Sequence, residues 1–167
     1  YESGGEEANI STIAYYEQAP ATGRDIWLVR HAEPGGLEDP RPFQNTQANE
    51  KSPVISPDGQ WLAYVSDTSG RDEVYVQSMS GEGKRWTISN DGGREPVWSR
   101  DGAELFYRSG DRMRAVPVSL CEEFDAGQPQ VLFTGEFVSR SPGFNQYYDV
   151  DIDGQRFLMI QSEPGAG

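Results

Sequence analysis

Pro53-Val54-Ile55-Ser56-Pro57-Asp58-Gly59-Gln60-Trp61-Leu62-Ala63-Tyr64-Val65-Ser66 sets a tight turn between two apolar runs. Ser56 opens the turn, Pro57 presets φ at the next position, and Gly59 tolerates the positive φ that closes it. The stretch therefore predicts a β-hairpin. The pattern returns twice. Pro96-Val97-Trp98 leads through Ser99-Arg100-Asp101-Gly102 to Leu105-Phe106-Tyr107, and Tyr148-Asp149-Val150 leads through Asp151-Ile152-Asp153-Gly154 to Phe157-Leu158-Met159-Ile160. A turn that recurs every few dozen residues means that one unit is built several times.

A second feature repeats downstream of the hairpin. Thr22-Gly23-Arg24-Asp25-Ile26-Trp27-Leu28 matches Ser69-Gly70-Arg71-Asp72-Glu73-Val74-Tyr75, and Ser109-Gly110-Asp111-Arg112-Met113-Arg114-Ala115 is a looser copy. Each reads as a turn into a third strand, at Ile26–Val29, Val74–Val76 and Met113–Val118. Fourth strands are expected at Arg85–Ser89 and Gln130–Thr134. The unit is four antiparallel strands over roughly 40 to 50 residues. Its inner strands are apolar on both faces, which suits a sheet packed between two neighbours. Helical periodicity is confined to a short stretch, Leu120–Ala126, with room for one helical turn.

Composition narrows the function classes. With 27 acidic and 14 basic residues among 167, the formal charge is -13. That excludes the basic footprint nucleic acid demands and disfavours anionic membranes. No run approaches the roughly 18 apolar residues of a membrane span, so membrane insertion is not expected. Tyr1-Glu2-Ser3-Gly4-Gly5-Glu6-Glu7 has neither a basic nor an apolar region and is not read as a signal peptide. The start without Met reads as a mature form or a portion of a longer product. Cys121 is the only cysteine, so no intrachain disulfide or CxxC pair is possible.

Residues 53–66, followed by Ser-Gly-Arg-Asp-Glu-Val-Tyr-Val at 69–76, resemble the WD40-like repeat of TolB-type β-propellers. The resemblance covers most of residues 10–162 and is strongest over 53–90. Residues Tyr147–Ile160 resemble the last blade of the propellers at the C-terminus of bacterial serine/threonine kinases, although no kinase motif is present. It implies an all-β propeller whose usual role is ligand or protein recognition without catalysis, with no cofactor. It also points to the periplasm or an outward-facing location.

Blade-like units are expected at about 7–48, 49–91 and 92–140, with a partial unit at 144–162. In the first, Glu7-Ala8-Asn9-Ile10 stands where the turn motif has degenerated, and strands remain at Ser11–Tyr16, Ile26–Val29 and Arg41–Asn45. Propellers normally close a ring of about four or more blades. Three blades' worth of strands leaves a flank open at each end, an apolar area larger than a monomer tolerates. Two copies could close one ring of about six blades, which is the expectation for the isolated chain. A longer polypeptide or a partner protein are the alternatives.

Chemical candidates are few. Asp149, Asp151 and Asp153, with Gly154, have the DxDxDG spacing that opens a calcium loop, but the twelfth loop position is Ile160 where a bidentate Glu belongs. Asp151 and Asp153 otherwise simply occupy the Ser and Asp places of the repeat turn, and no metal is assigned. His31, the single histidine, is expected in an exposed loop, and no G-x-S-x-G elbow accompanies it. Cys121, beside Glu122 and Glu123, is expected to be a buried or half-buried structural thiol. Gly81-Glu82-Gly83-Lys84 reads as a hairpin connection rather than a phosphate loop. No catalytic residue is assigned.

Position carries the remaining expectation. Residues just before the first strand of a propeller blade tend to line the channel entrance. Here they are Asn49, Glu50 and Lys51, then Gly93, Arg94 and Glu95, then Asn145, Gln146 and Tyr147. Glu50, Lys51, Arg94, Glu95, Gln146 and Tyr147 are the candidate binding residues. The long connection Glu33–Glu50 is read as a recognition loop or a mobile one. The sequence thus points to a non-catalytic propeller arc recognising a protein or small ligand, as the sensor part of a bacterial signalling protein. The alternatives are the substrate-gating propeller of an oligopeptidase-like hydrolase and a purely structural module that assembles with itself.

Overall fold

The structure, a computed structural model, describes residues 10–32, 35–121, 123–138 and 146–160. Four antiparallel sheets follow one another along the chain. The first holds β1 (Ile10–Ala19) and β2 (Gly23–Ala32), with the short β3 (Gly36–Leu37) and β4 (Arg41–Gln44) both pairing with β2. The second runs β5 (Glu50–Ile55), β6 (Trp61–Ser66), β7 (Glu73–Ser78) and β8 (Arg85–Thr87) in that order. The third runs β9 (Arg94–Trp98), β10 (Glu104–Ser109) and β11 (Arg112–Ser119), and β11 also pairs with β12 (Asp125–Ala126) and β13 (Gln130–Thr134). The fourth has two strands, β14 (Tyr148–Val150) and β15 (Phe157–Met159).

The repeated turn forms as its chemistry dictates. Ser56 Oγ donates to Asp58 Oδ1 at 2.5 Å and accepts from Trp61 N at 2.9 Å, while Asp58 Oδ1 takes Gln60 N at 3.1 Å. Ser99 and Asp101 copy this arrangement, at 2.7 Å between their side chains. Gly59, Gly102 and Gly154 close the three turns at φ of 74°, 72° and 70°, where a Cβ would be strained.

Alternation along the inner strands explains why these sheets stack face to face. Trp61, Ala63 and Val65 of β6 meet Trp98, Leu105 and Tyr107 of the third sheet. The intervening Leu62 and Tyr64 meet Ile26, Leu28 and Phe43 of the first. Phe106, Met113 and Ala115 turn the other way, toward Tyr148, Val150, Phe157 and Met159 of the fourth. Every residue of β6 is buried. These are blades packed side by side, as the sequence predicts: an arc of a β-propeller with an incomplete fourth blade.

Three expectations need correction. Among the described residues there is no helix, and Leu120–Ala126 yields β12 rather than a helical turn, because Phe124 is drawn into the core beside Trp61, Trp86 and Trp98. Within the connection Glu33–Glu50, β4 falls at the strand expected at Arg41–Asn45 and the unexpected β3 also pairs with β2, so the stretch is not one loop. His31 is half-buried in β2, opposite Ser11 and Leu37, not in a loop. The degenerate turn at Glu7–Asn9 lies outside the described residues.

Phe106 is 1% exposed and meets the Phe157 ring edge-on, with centroids 5.2 Å apart. Phe106→Ala should destabilise the chain by about 3 to 5 kcal/mol in urea unfolding. A loss below about 1 kcal/mol would contradict this packing.

Candidate functional site

The leading strands of blades two and three, β1 of blade one and the residue before β14 converge on one hollow of about 420 Å³. Its walls come from Ala14, Tyr15 and Tyr16 of β1, Ser52–Val54 of β5, Glu95 and Pro96 of β9, and Gln146 just before β14. Propeller blades surround a central channel, and this hollow is the candidate channel mouth of the arc. A bulge shapes it in two blades: Ser52 and Pro53 together oppose Tyr64, and Glu95 and Pro96 together oppose Tyr107. Ser52 and Glu95, each preceding a proline, carry positive φ of 52° and 56°. Non-glycine residues rarely adopt that conformation, and its recurrence at equivalent positions marks a built feature of the channel wall.

Behind this wall runs a network of charges. Asp72 accepts from Lys51 Nζ at 2.8 and 3.0 Å and pairs with Arg94 Nε at 2.8 Å, tying the leading strands of blades two and three together. Glu73 takes Arg71 Nε at 2.7 Å, Gly92 N at 3.1 Å and the Ser89 hydroxyl. Glu95 reaches into blade four: its carboxylate lies 3.5 Å from Arg108 Nη1 and accepts from Tyr147 N at 3.2 Å, while its carbonyl accepts from the Tyr148 hydroxyl at 2.7 Å. Burial pushes the Glu95 carboxyl above its ordinary value, with Tyr147 N and Arg108 opposing that shift.

At the junction of blades one and two the network is acidic. Asp67 accepts from Asn49 N at 2.7 Å and Asn49 Nδ2 at 2.8 Å. Burial works against the Asp67 charge, but these two donors and Lys51 outweigh it and hold the carboxyl below its ordinary value. Glu50 and Asp25 are each 1% exposed. Glu50 Oε1 takes the Thr46 hydroxyl at 2.5 Å and Asp25 Oδ2 the Thr22 hydroxyl at 2.6 Å, whereas Glu50 Oε2 and Asp25 Oδ1 have no partner among the described residues. Burial raises the Glu50 carboxyl above its ordinary value, and Asp25 adds to the rise.

The candidate binding residues thus divide. Glu95 and Gln146 line the channel hollow. Arg94 lines a second hollow beside it, with Glu95 again in the wall. Glu50 and Lys51 are buried behind the wall. Tyr147 touches the network through its backbone nitrogen. Asn145 lies outside the described residues. Sequence reasoning passed over Asp72, Arg71 and Arg108. Asp72 was within reach, since the Gly-Arg-Asp motif brings an aspartate to the same place in two units, Asp25 and Asp72.

The remaining candidates sit apart. Asp149 Oδ1 accepts from Val150 N at 2.9 Å, Asp151 Oδ1 from Ile152 N at 2.6 Å, and Asp153 Oδ1 from Gln155 N at 2.9 Å; Asp151 also pairs with Arg156. Among the described residues no group of three or more His, Cys, Asp or Glu could hold a metal ion. Cys121 is exposed rather than buried, accepting from the Ser119 hydroxyl at 3.3 Å, because the core beneath takes Phe124 instead. Glu122 lies outside the described residues, and no described helix is long and apolar enough to cross a membrane.

A charged carboxyl at Glu50 opposes folding wherever the unfolded chain would ionise it freely. That opposition grows as pH rises above the ordinary carboxyl value of 4.5 and vanishes below it. Glu50→Gln should therefore be more stable than the native chain at pH 7, with the difference disappearing as pH falls below 4.5. Denaturant unfolding at both ends of that range checks it, and a variant less stable at pH 7 would contradict it.

No family model matches the chain. It is 30% identical over 83 residues to the uncharacterized peptidase YuxL of Bacillus subtilis, an alignment covering 48% of this chain and 12% of that protein. It is 32% identical over 73 residues to the Tol-Pal system protein TolB of Hydrogenovibrio crunogenus, covering 44% of this chain and 17% of that protein. The aligned part is less than a fifth of either relative's length. Among solved structures, TolB from Acinetobacter baumannii superposes with a TM-score of 0.53 at 18% identity, over 93% of this chain and 48% of that one. The putative TolB from Agrobacterium tumefaciens gives 0.55 at 17% identity, over 73% and 45%. The chain carries the TolB-like β-propeller fold, as an arc matching about half the length of a TolB chain.

Proposed function

We propose that the chain is a non-catalytic recognition module, which binds a segment of another protein or a small ligand at its channel mouth and is the sensor part of a bacterial signalling protein. The observation that carries this reading is the convergence of four blades on one hollow whose walls mix aromatic, polar and charged groups. Strained backbone at Ser52 and Glu95 holds that wall in place. The match to a Tol-Pal system protein agrees with a recognition role. The sensor reading rests on the resemblance of residues Tyr147–Ile160 to the last blade of kinase-linked propellers.

A random peptide library displayed on phage and panned against the chain should yield binders with micromolar Kd. Tyr15→Ala should weaken them by about tenfold, as truncating an aromatic anchor does. A library that yields no binder, or binders indifferent to both Tyr15→Ala and Gln146→Ala, would contradict the reading.

Closure of the ring by a second copy belongs to the same proposal. Blade one packs Ala14 and Tyr16 against blade two and leaves Ile13 53% exposed on its other face. Blade four packs Phe157 and Met159 inward and leaves Leu158 76% exposed. The flank of one copy covers the opposite flank of the other. Light scattering should give a mass of two copies for the native chain and of one for Leu158→Asp; a native mass of one copy at tens of micromolar contradicts closure.

The match to a peptidase-named relative favours a second reading, in which the arc is part of the substrate-gating propeller of an oligopeptidase-like hydrolase. A hydrolase domain in the same reading frame would support it.

A further inference from the structure

At one position of the repeat the blades disagree. The residue nine places beyond Ser56, Ser99 and Asp151 is Val65, Arg108 and Ile160 respectively. Val65 is fully buried in the core. Arg108, at 5% exposure, puts a guanidinium where an aliphatic side chain serves the fold. Burying that charge is costly unless its pairing is good. Here the guanidinium lies over the Phe137 ring, 5.7 Å from its centroid, and its polar pairing is loose. Glu95 stands 3.5 Å from Nη1, Nη1 donates to the Val138 carbonyl at 3.0 Å, and Nε has no partner among the described residues. Glu95 in turn occupies the place held by Ser52 in blade two. The Arg108–Glu95 pair is therefore an addition specific to blade three.

Arg108 forms the wall of a hollow of about 360 Å³ beside the channel mouth, where blades two and three meet. Arg71 and Arg94 line it too, and Gly92, Gly93 and Gly110 form a rim without side chains. In a chain with 14 basic residues and a charge of -13, three guanidiniums share one small hollow. Arg94 reaches Asp72 through Nε, and Arg71 reaches Glu73 through Nε and the Asn90 carbonyl through Nη2, yet their side chains remain 52% and 56% exposed.

Four cations here, Lys51, Arg71, Arg94 and Arg108, meet four carboxylates, Asp72, Glu73, Asp91 and Glu95. A site balanced in this way suits a planar anion of single charge, which a guanidinium fork recognises, better than a phosphate dianion. We propose that the cleft binds a carboxylate, the acidic side chain or C-terminus of a peptide segment, with Arg94 and Arg71 in contact and Arg108 supplying positive charge from the wall. This deepens the recognition reading and rests on it only for the source of the carboxylate.

Amide NMR titration of the native chain with glutarate, with its neutral counterpart glutaramide and with inorganic phosphate tests the assignment. Glutarate should shift the Gly92, Gly93 and Gly110 amides saturably, with a Kd of about 1 to 10 mM. Glutaramide should not. Arg94→Gln should weaken glutarate by about tenfold, the loss of one charge-assisted contact, with its urea transition unchanged; Arg71→Gln provides a second variant should that transition move. No shift at those amides, an equal response to glutaramide, affinity unchanged in both variants, or tighter binding of phosphate would each overturn the proposal. Neutral peptides selected by panning would also count against the carboxylate while leaving recognition at the mouth intact.

Discussion

A sheet that is apolar on both faces cannot stop. Each blade must lie between two others, and the structure follows from that requirement. Blade two satisfies it fully, with Leu62 and Tyr64 covered by blade one and Ala63 and Val65 by blade three. Blades one and four are each covered on one face, and their outer faces carry the exposed aliphatic residues Ile13 and Leu158. Stability in such an array is a sum of neighbour interfaces, so it concentrates in the middle and thins toward the ends.

Polar groups complete what apolar packing begins. Around the candidate channel mouth the blades are joined by charged groups, Lys51 and Arg94 through Asp72 and blades three and four through Glu95. Apolar stacking fixes how far apart the sheets lie. Directional contacts of this kind, together with the bulges at Ser52 and Glu95, fix which side chains reach the channel. The same place is therefore both the polar seam of the arc and its candidate binding surface.

Much of the architecture was legible because it is local. The Ser-Pro-Asp-Gly turn carries its own hydrogen bonds, from Ser56 to Asp58 and onward to Trp61, so four residues are enough to declare a hairpin. Strand β13 falls at Gln130–Thr134, where the sequence placed it. Tertiary competition was not legible. Phe124 outcompetes Cys121 for the core, leaving the thiol exposed, and β2 recruits the short β3 from a stretch that reads as loop. The site was half legible. Repeat position picked out Glu95 and Gln146, which line one hollow, but nothing local distinguishes them from Glu50 and Lys51, which the bulge and Asp72 draw behind its wall. Arg108 stands out once the repeats are set in register, because the positions equivalent to it are Val65 and Ile160.

Native-state hydrogen exchange on the dilute chain tests the radial stacking most directly. The account predicts the slowest amides in β6 and β7, which have a blade on either side, with protection falling through β10 to its lowest values in β15. Exchange in β6 as fast as in β15, or protection spread evenly over all four sheets, would contradict it.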